Sequence, residues 1–152
     1  MFDIAFIPSE PPFEGKDEDE DEAWTGLWGC TVMGDFSERF VAPLGFWRRE
    51  DYERQWIDGA ERLLRGESPS AFVVEAGRIW WTAWREGADV FVHQRYLVEE
   101  SMAPAWTAMP ANLPYALIGP RQTRTAAGTG ISEWRVSLDD LRDFVARRRA
   151  GG

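Results

Sequence analysis

The chain has 152 residues, of which 44% are hydrophobic, and a formal net charge of −9. This size and composition predict a single domain over residues 1–152 with its own hydrophobic core, and the negative charge disfavours nucleic acid as a partner. The sequence has no apolar run of about 18 residues, no signal peptide and one cysteine, Cys30, so we expect no membrane association, no internal disulfide and a cytoplasmic location.

The negative charge is concentrated near the start of the chain. Residues 1–22 carry nine carboxylates and one lysine, and therefore eight of the nine net negative charges. We expect a solvated acidic loop at about residues 9–23, because a run of carboxylates cannot pack into a core. The run consists of Asp17, Glu18, Asp19, Glu20, Asp21 and Glu22. Two interpretations stay open: solubility alone, or faster association with a basic protein partner.

Alternating hydrophobic residues predict three strands in the first third of the chain, at residues 2–6, 24–33 and 36–41. Gly34 and Asp35 separate the last two strands. A short turn of this kind predicts that these two strands form a hairpin.

The strongest local pattern predicts a helix at about residues 48–65. Tyr52, Trp56 and further apolar residues recur at spacings of three and four, which places them on one helical face. Gly66 and Pro69 follow the last apolar position and are typical of a helix end. We interpret this helix as a scaffold that packs on the core.

Three further strands, at residues 72–75, 78–85 and 89–98, are joined by glycine-containing turns and predict an antiparallel meander. The pattern is then irregular, with a short strand predicted at 115–118. A final strand at 131–136 precedes a helix at about 138–148, for which Ser137 is the predicted N-cap. The arginines that close this helix are interpreted as a solvated helix end.

Together these elements predict an α+β fold, with an antiparallel sheet of about six or seven strands packed against two helices at about 48–65 and 138–148. The chain has nine tryptophans and nine phenylalanines, so large rings should dominate the core. We assign Tyr52, Trp56, Trp80 and Trp134 to that core. Loss of the ring of Trp56 or Trp134 is expected to cost about 3–5 kcal/mol.

The sequence does not favour an enzyme. His93 is the single histidine, so a histidine-based metal cluster is excluded, and Cys30 alone cannot form a zinc site. No phosphate-binding or nucleophile motif occurs, and we expect no metal and no cofactor. His93 is interpreted as structural. Carboxylates in a flexible solvated loop cannot have their pKa values shifted in opposite directions, as acid–base catalysis requires.

A binding module without catalysis is the alternative, because several tryptophans could form an aromatic platform for a carbohydrate or another flat ligand. The candidates are Trp24, Trp28, Trp80, Trp81 and Trp84. Trp80 and Trp81 are adjacent and must point to opposite faces of their strand. We therefore expect most of this set to belong to the core.

Two longer strings carry a resemblance to a known family. They are Gly34-Asp35-Phe36-x-Glu38-x-Phe40 and Pro43-Leu44-x-Phe46-Trp47-x-x-Glu50-Asp51-Tyr52-x-x-Gln55-Trp56, supported by Trp80-Trp81 and by Ile131-Ser132-Glu133-Trp134. Over roughly residues 25–148 the chain resembles the immunity proteins of bacterial contact-dependent growth inhibition, the CdiI group.

This resemblance implies a cytoplasmic inhibitor that binds the toxin domain of a growth-inhibition effector, often a nuclease, and blocks its active site. Nucleases that grip phosphates tend to be basic, which suits an acidic inhibitor. By charge, the expected toxin-binding residues are first Asp17, Glu18, Asp19, Glu20, Asp21 and Glu22, and then Glu99 and Glu100.

Overall fold

A computed structural model of the chain describes residues 1–16, 23–45, 47–75, 78–96, 115 and 118–151. Within these ranges it contains eight strands and two helices, and every strand pairing is antiparallel. The predicted α+β class is confirmed. The strands form two sheets of four rather than one sheet of six or seven.

The first sheet is built on one long central strand. Its strands are β1 (Phe2–Phe6), β2 (Phe13–Lys16), β3 (Ala23–Met33) and β4 (Phe36–Leu44). The strand β4 pairs along one side of β3, whereas β1 and β2 share the other side. The predicted β3–β4 hairpin is confirmed, and Gly34 supplies the positive φ of 61° that its tight turn needs.

The strand β2 corrects the sequence interpretation of residues 9–23. We expected a loop throughout, but Phe13–Lys16 pairs with the start of β3. The sequence Phe-Glu-Gly-Lys is short and contains glycine, so its local pattern does not indicate a strand. Pairing with the long β3 supplies the backbone hydrogen bonds that make it one.

The second sheet has the strand order β5, β6, β7, β8, with β5 (Ser70–Glu75), β6 (Ile79–Glu86), β7 (Asp89–Tyr96) and β8 (Trp134–Ser137). The predicted meander is therefore confirmed, and β8 adds the last strand. The short strand predicted at 115–118 is wrong at its two described residues, because Tyr115 is helical and Ile118 belongs to no strand.

The helix α1 (Arg49–Leu64) lies against the open edge of β5. The side chain of Gln55 donates to the carbonyl of Ala71 at 2.7 Å and accepts the N–H of Val73 at 2.8 Å. The indole of Trp56 donates to the carbonyl of Val73 at 2.7 Å. A sheet edge exposes unpaired backbone groups, and these two side chains satisfy several of them.

Both helix starts are stabilised by a carboxylate. At α1, the side chain of Asp51 accepts the N–H of Arg48 at 2.9 Å. The helix α2 (Leu138–Gly151) begins with a capping box, in which the hydroxyl of Ser137 accepts the N–H of Asp140 at 3.1 Å and the Asp140 carboxylate accepts the N–H of Ser137. The N-cap predicted at Ser137 is confirmed.

The arginines at the end of α2 are not simply solvated, as the sequence interpretation proposed. Arg147 donates to the carbonyl of Phe2 at 2.8 Å, Arg148 pairs with Asp3 at 2.6 Å, and Arg149 pairs with Glu61. These contacts fix α2 to β1 and to α1. The charge run therefore holds the two ends of the chain together.

One hydrophobic core joins both sheets and both helices. Tyr52, Trp56 and Trp80 are buried within it, and Trp134 is half-buried against it. Phe2 of the first sheet contacts Phe72 of the second at a ring distance of 5.1 Å. Among the described helices, none is long and apolar enough to cross a membrane.

Candidate functional site

The acidic residues that we predicted to bind a partner lie outside the described residues. They are Asp17, Glu18, Asp19, Glu20, Asp21, Glu22, Glu99 and Glu100. The first six follow β2 directly and precede β3 in the sequence. Lys16 and Ala23, on either side of them, are the last paired residues of the β2–β3 ladder. In the sequence, the acidic run therefore connects β2 to β3.

The five tryptophans considered as an aromatic platform separate into two groups. Trp80, Trp81 and Trp84 are buried, with exposed fractions of 4%, 1% and 5%. Trp24 and Trp28 are only partly buried. A platform of all five rings is therefore not formed, and only the two rings of β3 are candidates for contact with a ligand or partner.

These two rings lie on the face of the first sheet that is turned away from the core. From Leu27 to Met33 along β3, the odd positions are buried or packed on the core, whereas Trp24 and Trp28 occupy even positions. Successive side chains of a strand point to opposite faces. Phe13, which pairs with Gly26, shares the even face. We call Phe13, Trp24 and Trp28 the aromatic patch.

The rings of the aromatic patch contact one another. Phe13 lies 5.1 Å from Trp24 and 6.0 Å from Trp28, measured between ring centroids, and the second pair is edge-to-face. Within the described residues, none of the three rings belongs to the hydrophobic core or packs against it. The patch is thus a separate cluster on an outer sheet surface.

Two glycines make room for this cluster. A Cβ atom at Gly15 would lie 2.5 Å from the ring of Trp24, and a Cβ at Gly26 would lie 2.5 Å from Val41. The Trp24 ring therefore rests directly on the β2 backbone. The sequence pattern indicates that glycines weaken these strands locally. Only the pairing of β2 with β3 shows that the glycines leave space for the aromatic rings.

One cation packs on the patch. The guanidinium of Arg39 lies 4.7 Å from the centroid of the Trp28 ring and pairs with Glu10 at 2.7 Å. The charge of Arg39 is therefore balanced locally. The surface combines a partly exposed aromatic centre with an ion pair at its margin, and this composition is typical of the centre and rim of a protein interface.

A polar cluster surrounds the single histidine. His93 is 1% exposed, its Nε2 lies 2.7 Å from Glu133, and its ring lies 4.7 Å from that of Trp84. Arg121 donates two hydrogen bonds to Glu133, at 2.7 and 2.6 Å, and lies over the ring of Phe91. Sequence reasoning missed Glu133 and Arg121 because they are distant from His93 in the chain.

The electrostatics of this cluster favour a structural role. The hydrogen bonds from Arg121, with a smaller contribution from the contact with His93, lower the pKa of Glu133 to about 2. A carboxylate that exchanges protons in catalysis near neutral pH needs a pKa much closer to 7. Arg121 and Glu133 instead attach residues 118–133 to the second sheet. Among the described residues, no group of three potential metal ligands occurs.

The variant Glu133→Gln tests this ion pair. Because the folded pKa of Glu133 is lower than its ordinary value of 4.5, its contribution to stability is complete above about pH 4.5 and is lost as pH falls towards 2. Glu133 is 23% exposed, so we expect a loss of about 1–2 kcal/mol at pH 7, less than the full shift would give. Urea unfolding of both proteins at pH 7 and pH 3 should show this difference shrink with acidification. A difference that is equal at both pH values would contradict the assignment.

Comparison with known proteins identifies the family. The family described as the CdiI N-terminal domain matches residues 42–144, which is more than half of the chain. One solved structure, "CdiA-CT/CdiI toxin and immunity complex from Enterobacter cloacae", has a chain with the same fold, with a TM-score of 0.79, 22% sequence identity and 99% of each chain covered. No curated protein matches the chain. The chain therefore belongs to the CdiI family, the immunity proteins of bacterial contact-dependent growth inhibition.

Proposed function

We propose that this chain is a cytoplasmic immunity protein that binds the toxin domain of its cognate growth-inhibition effector and neutralises it by covering the active site. The observation that carries the proposal is membership in the CdiI family across residues 42–144. The shared fold with a chain from the Enterobacter cloacae toxin and immunity complex agrees with it.

The charge of the chain supports a basic toxin, and specifically a nuclease. The net charge is −9, and eight of these charges belong to residues 1–22. Enzymes that bind nucleic acid backbones carry positive surfaces, because they must replace the counterions of the phosphates. A localised negative segment on the inhibitor accelerates association with such a surface and contributes to specificity.

Neutralisation by binding requires no catalysis. The most enzyme-like group of side chains in the described residues is the cluster of His93, Glu133 and Arg121. Its carboxylate is held by two hydrogen bonds from Arg121, which keep it ionised. This supports a non-catalytic protein in which the cluster stabilises the second sheet.

Growth protection is the direct test of the proposed function. The C-terminal toxin domain of the cognate growth-inhibition effector is expressed from an inducible promoter, with and without this chain. We expect growth arrest without the chain and normal growth with it, and a stable complex of the two proteins in size-exclusion chromatography. A toxin from an unrelated system is the specificity control. Growth arrest despite full expression of the chain would contradict the proposal.

Active-site occlusion is tested separately with a catalytically inactive toxin domain and a labelled nucleic acid substrate. If the chain covers the active site, it should displace the substrate in a competition titration, and no ternary complex should form. A stable ternary complex of toxin, substrate and this chain would show that neutralisation occurs by another route. The toxin would then be inhibited without occlusion of its substrate site.

A further inference from the structure

We propose that the aromatic patch is the surface that docks the basic toxin domain, with Trp24 and Trp28 as its anchors, and that the negative charge of residues 17–22 accelerates the association. This inference rests on the proposed function and assigns its contact surface. It replaces an expectation based on charge alone with one based on charge and aromatic contact.

The first argument is the position of the rings. In an antiparallel sheet that packs on one face, the outer face is normally polar. Here that face carries Phe13, Trp24 and Trp28, which contact one another but not the described core. Partly exposed rings that are not needed for the core are the side chains that most often dominate the binding energy of protein interfaces.

The second argument is the negative charge of the sequence that connects β2 to β3. The acidic run begins directly after Lys16 and ends directly before Ala23, and these two residues close the ladder that carries Trp24. The one cation on the patch, among the described residues, is Arg39, which is neutralised by Glu10. The chemistry of this hairpin therefore suits a partner with a basic surface around an apolar contact.

The third argument is the rigidity and the location of the hairpin. The strand β3 is paired on both sides, so the patch is held in place before any partner binds, which lowers the entropic cost of association. Phe13, Trp24 and Trp28 all precede residue 42, where the family match begins. A surface that selects one cognate toxin is expected outside the part that defines the family as a whole.

The test measures binding of a catalytically inactive cognate toxin domain to purified variants of the full chain. We expect Trp24→Ala and Trp28→Ala each to raise Kd by about 30-fold or more, mainly through faster dissociation. The matched control is Tyr96→Ala, which removes a ring that is 62% exposed on the second sheet. That control should change Kd by less than about threefold.

The electrostatic half of the proposal is tested with a triple variant. Replacing Asp17, Asp19 and Asp21 with Asn should slow association by about tenfold at low salt and weaken its dependence on ionic strength. The control changes three exposed carboxylates elsewhere, with the substitutions Glu50→Gln, Asp139→Asn and Asp143→Asn. Because it removes the same total charge, it separates the local effect from that of net charge.

Circular dichroism and thermal unfolding establish that each variant is folded before binding is measured. If the unmodified chain binds and neutralises the toxin but both tryptophan variants bind equally well, this inference is wrong and the proposed function stands. Weaker binding by Tyr96→Ala alone would place the interface on the second sheet and also overturn the inference. If the unmodified chain does not bind the toxin, both proposals fail. Tryptophan emission that responds to oligosaccharides but not to toxin would favour the carbohydrate-binding alternative.

Discussion

Replacing Trp56 with alanine should lower the free energy of unfolding by about 3–5 kcal/mol, the largest effect that we expect for a single substitution in this chain. The Trp56 ring is 1% exposed and contacts Phe6, Phe40 and Tyr52 at centroid distances of 5.0, 6.0 and 6.3 Å. Its indole N–H also donates to the carbonyl of Val73 at the open edge of β5. The substitution therefore removes core volume and an edge hydrogen bond together.

Urea unfolding followed by circular dichroism measures this loss. Trp56→Phe is the matched variant, because it keeps an aromatic ring but cannot donate to Val73, so an intermediate loss of about 1–3 kcal/mol is expected. If residues 1–152 fold as one unit, as we propose, both variants should unfold in one cooperative transition. A loss below about 1 kcal/mol for Trp56→Ala would mean that α1 does not depend on this ring.

Replacing Gly59 with alanine is the second substitution from which we expect a large loss of stability. Alanine is normally the better residue inside a helix by about 1 kcal/mol. A Cβ atom at this position would lie 2.3 Å from the carbonyl oxygen of Ala71. Because that oxygen belongs to the backbone of β5, the helix must move away from the strand. This movement would strain the hydrogen bonds that Gln55 and Ser70 make between helix and strand, so we expect a net loss of about 2–3 kcal/mol.

Gly151 provides the matched control for Gly59, because it is also a helical glycine but has open space where a Cβ would be added. Gly151→Ala should be neutral or stabilising by a few tenths of a kcal/mol. Differential scanning calorimetry shows whether each substitution raises or lowers the melting temperature. Equal melting temperatures for the two variants would show that the close approach of α1 to β5 has no energetic importance.

Local patterns were sufficient for most secondary structure. The apolar spacing around Tyr52 and Trp56 predicts α1 because periodicity reports which face of a helix is buried. Ser137 followed by Asp140 predicts the start of α2 because a capping box is formed within four residues. Both features depend on neighbours in the chain, and a single sequence therefore contains them.

Features that depend on residues distant in the chain cannot be predicted from local sequence patterns. The strand β2 exists because Phe13–Lys16 pairs with β3, and its own residues do not indicate a strand. In the sequence, Gln55 resembles an ordinary helix residue. In the structure it is 1% exposed, and its side chain accepts the N–H of Val73. Such roles are set by the partner that tertiary packing brings into contact.

The sequence by itself determined the α+β class, the helix positions, the concentration of negative charge in residues 1–22 and the resemblance to the CdiI family. Composition, periodicity and motifs are properties of the linear amino-acid sequence. Only the tertiary structure decided which tryptophans are buried and which lie on the outer face of the first sheet. Trp24 and Trp81 each precede a threonine in a predicted strand, but strand pairing and packing of the second layer place the Trp81 ring in the core and leave Trp24 partly exposed.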